Sequence, residues 1–156
     1  MRLTDILRPE CVKVPLASSA KQDAIFELVD LLVASGVVTS REEMRQTVWQ
    51  REQTRTTGIG HGVAIPHGKI SGCTGLALAI GKAATPIEFG AIDGRPVELI
   101  FLLASPADQT GPHIQALAGI SRMLFDPAFR AAVRAAQSAD DLYKLIVEHE
   151  TKPATA

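Results

Sequence analysis

Residues 56–68 read TTGIGHGVAIPHG, and both the fold and the chemistry of the chain are best approached from this stretch. Residues 63–65 alternate large and small apolar side chains, which predicts a short strand. Pro66 lacks an N–H group and should end the pairing, so that His67 projects at the strand tip and Gly68 leaves open space beside it. A neutral imidazole held there is a good nucleophile. A structural histidine that caps a carbonyl at the strand end is an equally open alternative.

Apolar runs on either side of this stretch predict further strands. Residues 76–80 and 97–104 are short, apolar and bounded by turn residues, as buried strands are. Residues 87–89 alternate around a glutamate, and the Asp-Gly pair at 93–94 is a turn signal, so a hairpin-like strand is expected between the two runs. Residues 12–16 suit one more short strand, which the proline within it should end.

Helices are predicted from their capping residues and their periodicity. A serine followed three residues later by Gln or Glu marks two helix starts, at Ser19 and Ser40. The first of these helices should stop at Gly36 and the second near Arg51.

The C-terminal third predicts three more helices. Pro112 suits the first turn of one of them. Its inner face is expected to consist of Ile114, Leu117, Ala118, Ser121 and Leu124. Asp126-Pro127 should start the next helix, and Ser138 should cap the last. Strands mixed with helices and followed by helices favour an α/β fold, a mixed central β-sheet flanked by helices on both faces.

Composition narrows the function classes. The chain has 156 residues and a net charge of −1, which argues against a nucleic-acid binder held by bulk charge. Its apolar runs fall far short of the ~20 residues that a membrane-spanning helix needs, and no secretory signal is visible. Two cysteines make no disulfide framework, so we expect a cytoplasmic protein with reduced thiols. One domain is expected over residues 1–150, followed by a flexible tail over 151–156.

Two phosphate-binding motifs begin in the glycine-rich stretch but are incomplete. Gly58 and Gly60 resemble the start of a dinucleotide fingerprint, but Val63 stands where the third glycine is needed. The Gly-Lys pair at 68–69 resembles the end of a Walker loop, but an isoleucine follows it in place of Ser or Thr. The nucleotide-binding interpretations therefore lose their usual support.

Two more histidines are candidates for a site. His113 follows a Gly-Pro pair at a predicted helix start, where free N–H groups and the helix dipole favour an anion. A capping or solvent-facing histidine is the alternative at that position. His61 is most simply a solvent-exposed loop residue. A small metal-binding protein that uses His61, His67 and His113 is a third hypothesis, although the spacing of His61 and His67 is not that of a helical metal site.

The order TGIG at residues 57–60 followed by VAIPHG at 63–68 resembles a known phosphorylation-site signature. It is that of the fructose/mannitol-type enzyme IIA domains of the bacterial phosphoenolpyruvate-dependent phosphotransferase system. An Arg-Glu pair at 51–52, and residues 102–106 and 113–117, extend the resemblance over nearly the whole chain. Because the chain holds no transporter or enzyme IIB segment, it is most similar to the stand-alone, nitrogen-related (Ntr) branch.

This resemblance implies an enzyme IIA fold and a phosphotransferase component that needs no cofactor and no metal. His67 would accept a phosphoryl group from a phosphohistidine carrier of the HPr or NPr kind, His113 would stabilise that group, and Arg51 would add positive charge. The implied substrate-binding positions are Gly58, Gly60, Gly62, Gly68 and His61. The glycines of residues 58–62 would let the backbone approach the phosphate. His61 stands where many sugar-type members carry a glutamate, and it would change the charge there.

The resemblance also implies the partners. Besides the phosphocarrier, an enzyme IIB or a regulated target protein would receive the phosphoryl group or respond to it, in nitrogen, potassium or carbon regulation. Neither nucleic acid nor membrane insertion is expected. A purely regulatory binding module without onward transfer is the alternative from another functional class.

Overall fold

A mixed sheet of six strands forms the centre of the computed structural model, which describes residues 2–151. The strands are β1 (Leu7–Leu16), β2 (Gly58–Gly60), β3 (Val63–Ala64), β4 (His67–Ile70), β5 (Ala77–Ile87) and β6 (Val97–Pro106). Their order is β1-β5-β6-β3-β2, and β4 also pairs with β6. Strands β1 and β5 are parallel, as are β3 and β4 with β6, whereas β5–β6 and β2–β3 are antiparallel.

Within residues 2–151, five helices cover the two faces of this sheet, after a short 3-10 turn at Leu3–Asp5. The helices are α1 (Lys21–Ala34), α2 (Arg41–Thr54), α3 (Thr110–Phe125), α4 (Pro127–Ala135) and α5 (Ala139–Thr151). Helices α1 and α2 pack on one face, and α3, α4 and α5 pack on the other. The predicted architecture, a mixed central sheet with helices on both faces, is therefore confirmed.

Strand β6 is the central strand that divides the core. Ile100, Leu102 and Ala104 face α1 and α2. Leu99, Phe101 and Leu103 face the other three helices. All six residues are buried, which explains why this strand is a continuous apolar run rather than an alternating one.

Two strands differ in length from the sequence prediction. Strand β1 continues through Pro15 to Leu16, because β1 lies at the edge of the sheet, where a missing N–H group is tolerated. Strand β5 runs unbroken to Ile87 and includes part of the separately predicted strand, with a register shift between Lys82 and Ile87. Phe89 lies beyond the strand end, although it is buried as expected for a core residue.

The helix ends confirm some of the predicted caps and correct others. Helix α1 stops just before Gly36, which has a left-handed φ of +86°, but it begins after Ala20 rather than Ser19. Ser40 precedes α2 as predicted, yet no side-chain capping bond forms there, and the helix continues to Thr54. The Asp126 side chain accepts a hydrogen bond from Ala128 N–H and caps α4 as predicted.

Helix α3 turns a different face to the core from the one predicted. It begins at Thr110, two residues before Pro112. Its buried residues are His113, Ala116, Ile120, Met123 and Leu124, so only Leu124 of the predicted inner face is fully buried. Ile114 is 60% exposed. The predicted stripe was wrong because the tertiary contact of His113, described below, sets the rotation of the helix.

The remaining sequence expectations concern membrane spans and the tail. No helix within residues 2–151 is long and apolar enough to cross a bilayer. Of the predicted tail, Thr151 is the last residue of α5, and residues 152–156 lie outside the described part of the chain.

Candidate active site

His67 lies at the start of β4, which pairs with the central strand β6. Val63 pairs with Leu99 and His67 pairs with Leu103, so β3 and β4 follow β6 in one register on either side of Pro66. The Pro66 carbonyl accepts a hydrogen bond from Leu103 N–H at 3.0 Å. Pairing therefore stops for only two residues, and His67 is a half-buried strand residue rather than a projecting tip, which corrects the sequence prediction.

One backbone contact fixes the His67 ring. Its Nδ1 atom lies 2.8 Å from the carbonyl oxygen of Ile65, two residues earlier. A carbonyl oxygen only accepts hydrogen bonds, so Nδ1 carries the proton and donates it. When the ring is neutral, Nε2 therefore holds the free electron pair. Capping a carbonyl and acting as a nucleophile, the two alternatives of the sequence, are compatible because they use different nitrogens.

The surroundings of His67 favour its neutral form. Burial lowers the pKa of His67 below its ordinary value, and the nearby Arg51 charge lowers it further, while the Ile65 hydrogen bond and the Glu52 charge act in the opposite direction. A lowered pKa keeps the electron pair on Nε2 available at neutral pH.

His113, on helix α3, lies next to His67 on strand β4. It lies in the first turns of α3, is 6% exposed, and its Nδ1 atom is 2.7 Å from the Ser105 hydroxyl oxygen. The two imidazole rings have their centroids 5.5 Å apart and are inclined by 58°. The structure thus brings together the two histidines singled out in the sequence, and the solvent-facing alternative for His113 was wrong.

His113 is also held neutral. Burial lowers its pKa to about 4, and the charges of His67 and Lys69 contribute in the same direction. The ammonium group of Lys69 donates to the Thr110 hydroxyl, 3.1 Å away at the start of α3. The site therefore holds two neutral imidazoles and a lysine that is two residues from His67 on the same strand.

A consequence for stability follows from the lowered pKa of His113. Between about pH 6.5 and about pH 4 the unfolded chain binds a proton at this residue and the folded chain does not, so the free energy of unfolding decreases as pH falls through this window. We expect His113→Gln to reduce that pH dependence, because glutamine does not titrate. Urea unfolding of both proteins at several pH values within the window measures the slopes, and equal slopes would contradict the prediction.

Arg51 lies in the last turn of α2, close enough for its charge to act on His67. Its side chain is half-buried and donates to the carbonyl oxygen of Arg55 at 2.9 Å. That bond aligns the guanidinium along the end of its own helix. The predicted charged residue is thus placed near His67.

Two of the predicted glycines are required by close packing. A Cβ atom on Gly68 would lie 3.1 Å from Thr47 and 3.2 Å from Val48, so Gly68 allows α2 to pack on β4 and does not leave open space. A Cβ atom on Gly58 would lie 2.8 Å from the Cβ atom of Ala91, closer than such atoms approach. Gly68 thus lets β4, which begins with His67, pack on α2, and Gly58 lets β2 pack against the segment at Ala91.

The turn between β2 and β3 lies away from His67. Gly60, His61 and Gly62 all have positive φ there, and Asp93 accepts a hydrogen bond from His61 N–H at 3.0 Å. The turn precedes Val63, which is four residues from His67 along the same register, or about 13 Å. These three residues are therefore beyond hydrogen-bond reach of His67, which does not fit the expectation that they approach its phosphate.

The distance of the β2–β3 turn from His67 argues against a metal site formed by the three histidines. His61 is not near the pair of His67 and His113, so the three histidines do not form one cluster. Within residues 2–151, no group of three or more His, Cys, Asp or Glu side chains is placed to hold a metal ion.

Sequence reasoning missed the contact of Ser105 with His113 and the burial of Glu52, whose charge acts on His67. Ser105 comes from the end of β6, eight residues before its partner His113, and no local pattern indicates that contact. Glu52 was noted only as part of an Arg-Glu pair, although it is 2% exposed and bonded to Thr57. Burial of a carboxylate in a polar helix end is not visible in the sequence.

Comparison with known proteins identifies the family. The family described as "Phosphoenolpyruvate-dependent sugar phosphotransferase system, EIIA 2" matches residues 5–149. The chain belongs to this family. A nitrogen regulatory protein from Klebsiella oxytoca is 37% identical to this EIIA domain over 149 residues, which cover 95% of this chain and 91% of that protein.

Solved structures agree with this assignment. The nitrogen regulatory protein IIA-Ntr from Neisseria meningitidis superposes with a TM-score of 0.84 at 28% identity, covering 91% of this chain and 97% of that one. The mannitol enzyme IIA of Escherichia coli, solved in complex with phosphorylated enzyme IIB, has a TM-score of 0.77 at 20% identity and covers 92% and 99%. The expected enzyme IIA fold is therefore confirmed.

Proposed function

We propose that this EIIA domain accepts a phosphoryl group on Nε2 of His67 from the phosphohistidine of an HPr- or NPr-like carrier protein. The observation that carries the proposal is the bond between His67 Nδ1 and the Ile65 carbonyl. That bond leaves Nε2 as the nucleophilic nitrogen of a neutral ring. His113, 5.5 Å away between ring centroids, supplies a second imidazole at the same place.

The transfer step exchanges one nitrogen–phosphorus bond for another. The electron pair of Nε2 forms the new bond to phosphorus, while the electron pair of the old bond returns to the donor ring. His67 keeps its Nδ1 proton and its ring becomes positively charged, and the donor ring loses the same charge. No proton has to move, so the protein needs mainly to position the groups and stabilise charge.

Neighbouring residues then act on the phosphoryl oxygens. If the Ser105 hydroxyl donates to Nδ1 of His113, the proton of that ring lies on Nε2 and is available to a phosphoryl oxygen. Arg51 adds positive charge near His67, and Lys69 adds positive charge near His113. His113 orients the group that His67 carries.

A second candidate role is regulation through the phosphorylation state of His67. It is favoured by the similarity to proteins named for nitrogen regulation, which extends over nearly the full length of the Klebsiella oxytoca relative. A phosphoryl group adds about −1.5 to −2 charge at pH 7, which is enough to change the affinity of a docked partner. An enzyme IIB, as in the mannitol complex, is the matching acceptor where transfer continues.

We further propose that the domain works in the cytoplasm. Both cysteines are buried and free, Cys11 beneath α1 and Cys73 just after β4. Burial raises the pKa of both thiols, so they are poorly reactive packing residues that suit a reducing compartment.

The function is tested by phosphorylating the purified protein with phosphoenolpyruvate, enzyme I and an HPr- or NPr-type carrier. We expect one phosphoryl group, mapped to His67 by mass spectrometry at neutral or basic pH. The label should be lost in acid and kept in base, because a phosphorus–nitrogen bond hydrolyses when protonated. An acid-stable label would indicate a hydroxyl acceptor and reject the proposed chemistry. No uptake from either carrier type would reject both phosphoryl transfer and regulation through the phosphorylation state of His67.

A further inference from the structure

Glu52, the residue after Arg51 in α2, has a buried carboxylate. Its hydrogen bonds connect it to the backbone that holds His67. Glu52 accepts hydrogen bonds from the N–H group of Thr57 at 3.0 Å and from its hydroxyl at 2.6 Å. Lys21 Nζ lies 3.1 Å from the same carboxylate. A buried charge is costly unless it is paired and hydrogen-bonded, and here both conditions are met.

Thr57 connects this carboxylate to the backbone that holds His67. The carbonyl of Thr57 accepts a hydrogen bond from Ile65 N–H at 3.1 Å. The carbonyl of Ile65 in turn accepts the bond from His67 Nδ1–H at 2.8 Å. Three hydrogen bonds, joined by the covalent backbone of Thr57 and of Ile65, therefore connect the carboxylate to the imidazole.

Lys21 anchors the far end of this series. Its ammonium group donates to the carbonyl oxygen of Phe89 at 2.8 Å and lies 4.8 Å from the centre of the Phe89 ring. The carboxylate is thus fixed between the start of α1, the end of α2 and the segment after β5. Rigid surroundings on three sides allow Glu52 to set the position of Thr57.

We infer that Glu52 is a positioning residue for His67, which acts through Thr57 and Ile65 to keep the proton on Nδ1 and the electron pair on Nε2. The inference rests on the proposed function, because the choice of nitrogen matters only if Nε2 accepts the phosphoryl group. The carboxylate has a further effect during transfer. The His67 ring gains positive charge as Nε2 bonds to phosphorus, and a fixed anion nearby stabilises that charge.

The same helix provides a matched control. Glu43 also lies on α2 and also holds a loop, since it accepts hydrogen bonds from Gly72 N–H at 2.7 Å and from the Ser71 hydroxyl at 2.8 Å. Those bonds fix the segment after β4 and do not continue to the imidazole of His67. Removal of either glutamate releases a loop, but only Glu52 should affect the ring.

The experiment compares Glu52→Ala, Glu52→Gln and Glu43→Ala in the full chain. Circular dichroism checks folding, long-range ¹H–¹⁵N spectra give the tautomer of His67, and the uptake of phosphate from the carrier is timed. Glu52→Ala should give a mixture of tautomers and about tenfold slower uptake, the size expected for one lost hydrogen bond. Glu52→Gln retains an oxygen for Thr57 N–H and should restore the Nδ1–H tautomer, and Glu43→Ala should leave the His67 signals unchanged.

The outcomes separate this inference from the proposed function. If Glu52→Ala folds and His67 keeps the wild-type tautomer, the inference is overturned. This holds whether or not phosphate uptake is normal. If Glu52→Ala changes the tautomer of His67 but the wild-type protein never accepts phosphate, the connection from Glu52 to His67 is supported and the proposed function is rejected. If Glu52→Ala does not fold, Glu52→Asp carries the test, because its shorter side chain withdraws the carboxylate from Thr57. An unchanged tautomer there overturns the inference as well.

Discussion

His67→Ala is expected to abolish phosphoryl uptake while leaving the fold intact. The substitution removes the only imidazole whose Nδ1 proton is held by the Ile65 carbonyl, and with it the free electron pair on Nε2. His113 does not replace it, because its Nδ1 atom is engaged by Ser105 and its ring is nearly fully buried. Uptake should therefore fall below detection rather than slow down.

The fold should survive this change for a structural reason. His67 is half-buried and makes one side-chain hydrogen bond, so its loss is worth about 1–2 kcal/mol of unfolding free energy. The backbone pairing of β4 with β6 involves main-chain groups only and remains. Circular dichroism and urea unfolding check this, alongside mass-spectrometric detection of the phosphoprotein.

A second histidine variant makes the test specific. His149 lies on α5, where its ring packs against Phe129 at 4.8 Å and its Nε2 atom is 3.6 Å from Asp126. His149→Gln changes the histidine content equally but leaves the site untouched, so it should accept phosphate at the wild-type rate. Labelling that persists in His67→Ala, or that disappears in His149→Gln, would move the phosphorylation site elsewhere.

The parts of the fold that the sequence predicts well are those governed by local rules. The run of residues 97–104 is a buried strand because every side chain except Glu98 is apolar, on both faces. Asp126-Pro127 starts a helix because the carboxylate caps it and the proline lacks the N–H group that would be unpaired there. Neither feature depends on distant residues.

The parts that failed depend on tertiary contacts. Helical periodicity places the apolar Ile114 inside and the polar His113 outside, but the opposite is found. Burial of His113 is possible because the Ser105 hydroxyl, on another element, satisfies its Nδ1 atom. Nothing in the residues around His113 indicates that partner, so the rotation of α3 was not predictable from its own sequence.

The candidate site shows the same division. The motif predicts that His67 follows a short strand. The family resemblance, and not the motif, predicts that His113 and Arg51 lie near His67. The series of hydrogen bonds from Glu52 through Thr57 depends on how residues 55–58 run past Ile65, which only the folded chain defines. The turn at His61 likewise lies near the site in sequence but not in space, because an antiparallel strand pair carries it away.

His113→Ala is expected to accept phosphate on His67 still, but about 10- to 150-fold more slowly. In the proposed function, His113 of the wild type donates one charge-assisted hydrogen bond to the phosphoryl oxygens, and such a bond is worth ~1.5–3 kcal/mol when it is made fully in the transition state. His113→Gln offers an amide donor of similar reach and should recover part of the rate. Uptake from the carrier is timed for the three proteins, and the modified residue is mapped in each.

The role of Ser105 completes this test. If its hydroxyl donates to Nδ1 across the 2.7 Å contact and so fixes the tautomer of His113, then Ser105→Ala leaves the imidazole in place with its proton on either nitrogen. Uptake should then fall between the wild-type and His113→Ala rates, because only part of the population presents an Nε2–H donor. A His113→Ala protein that accepts phosphate at the wild-type rate, or phosphate mapped to His113 in the wild type, would show that this division of labour between the two histidines is wrong.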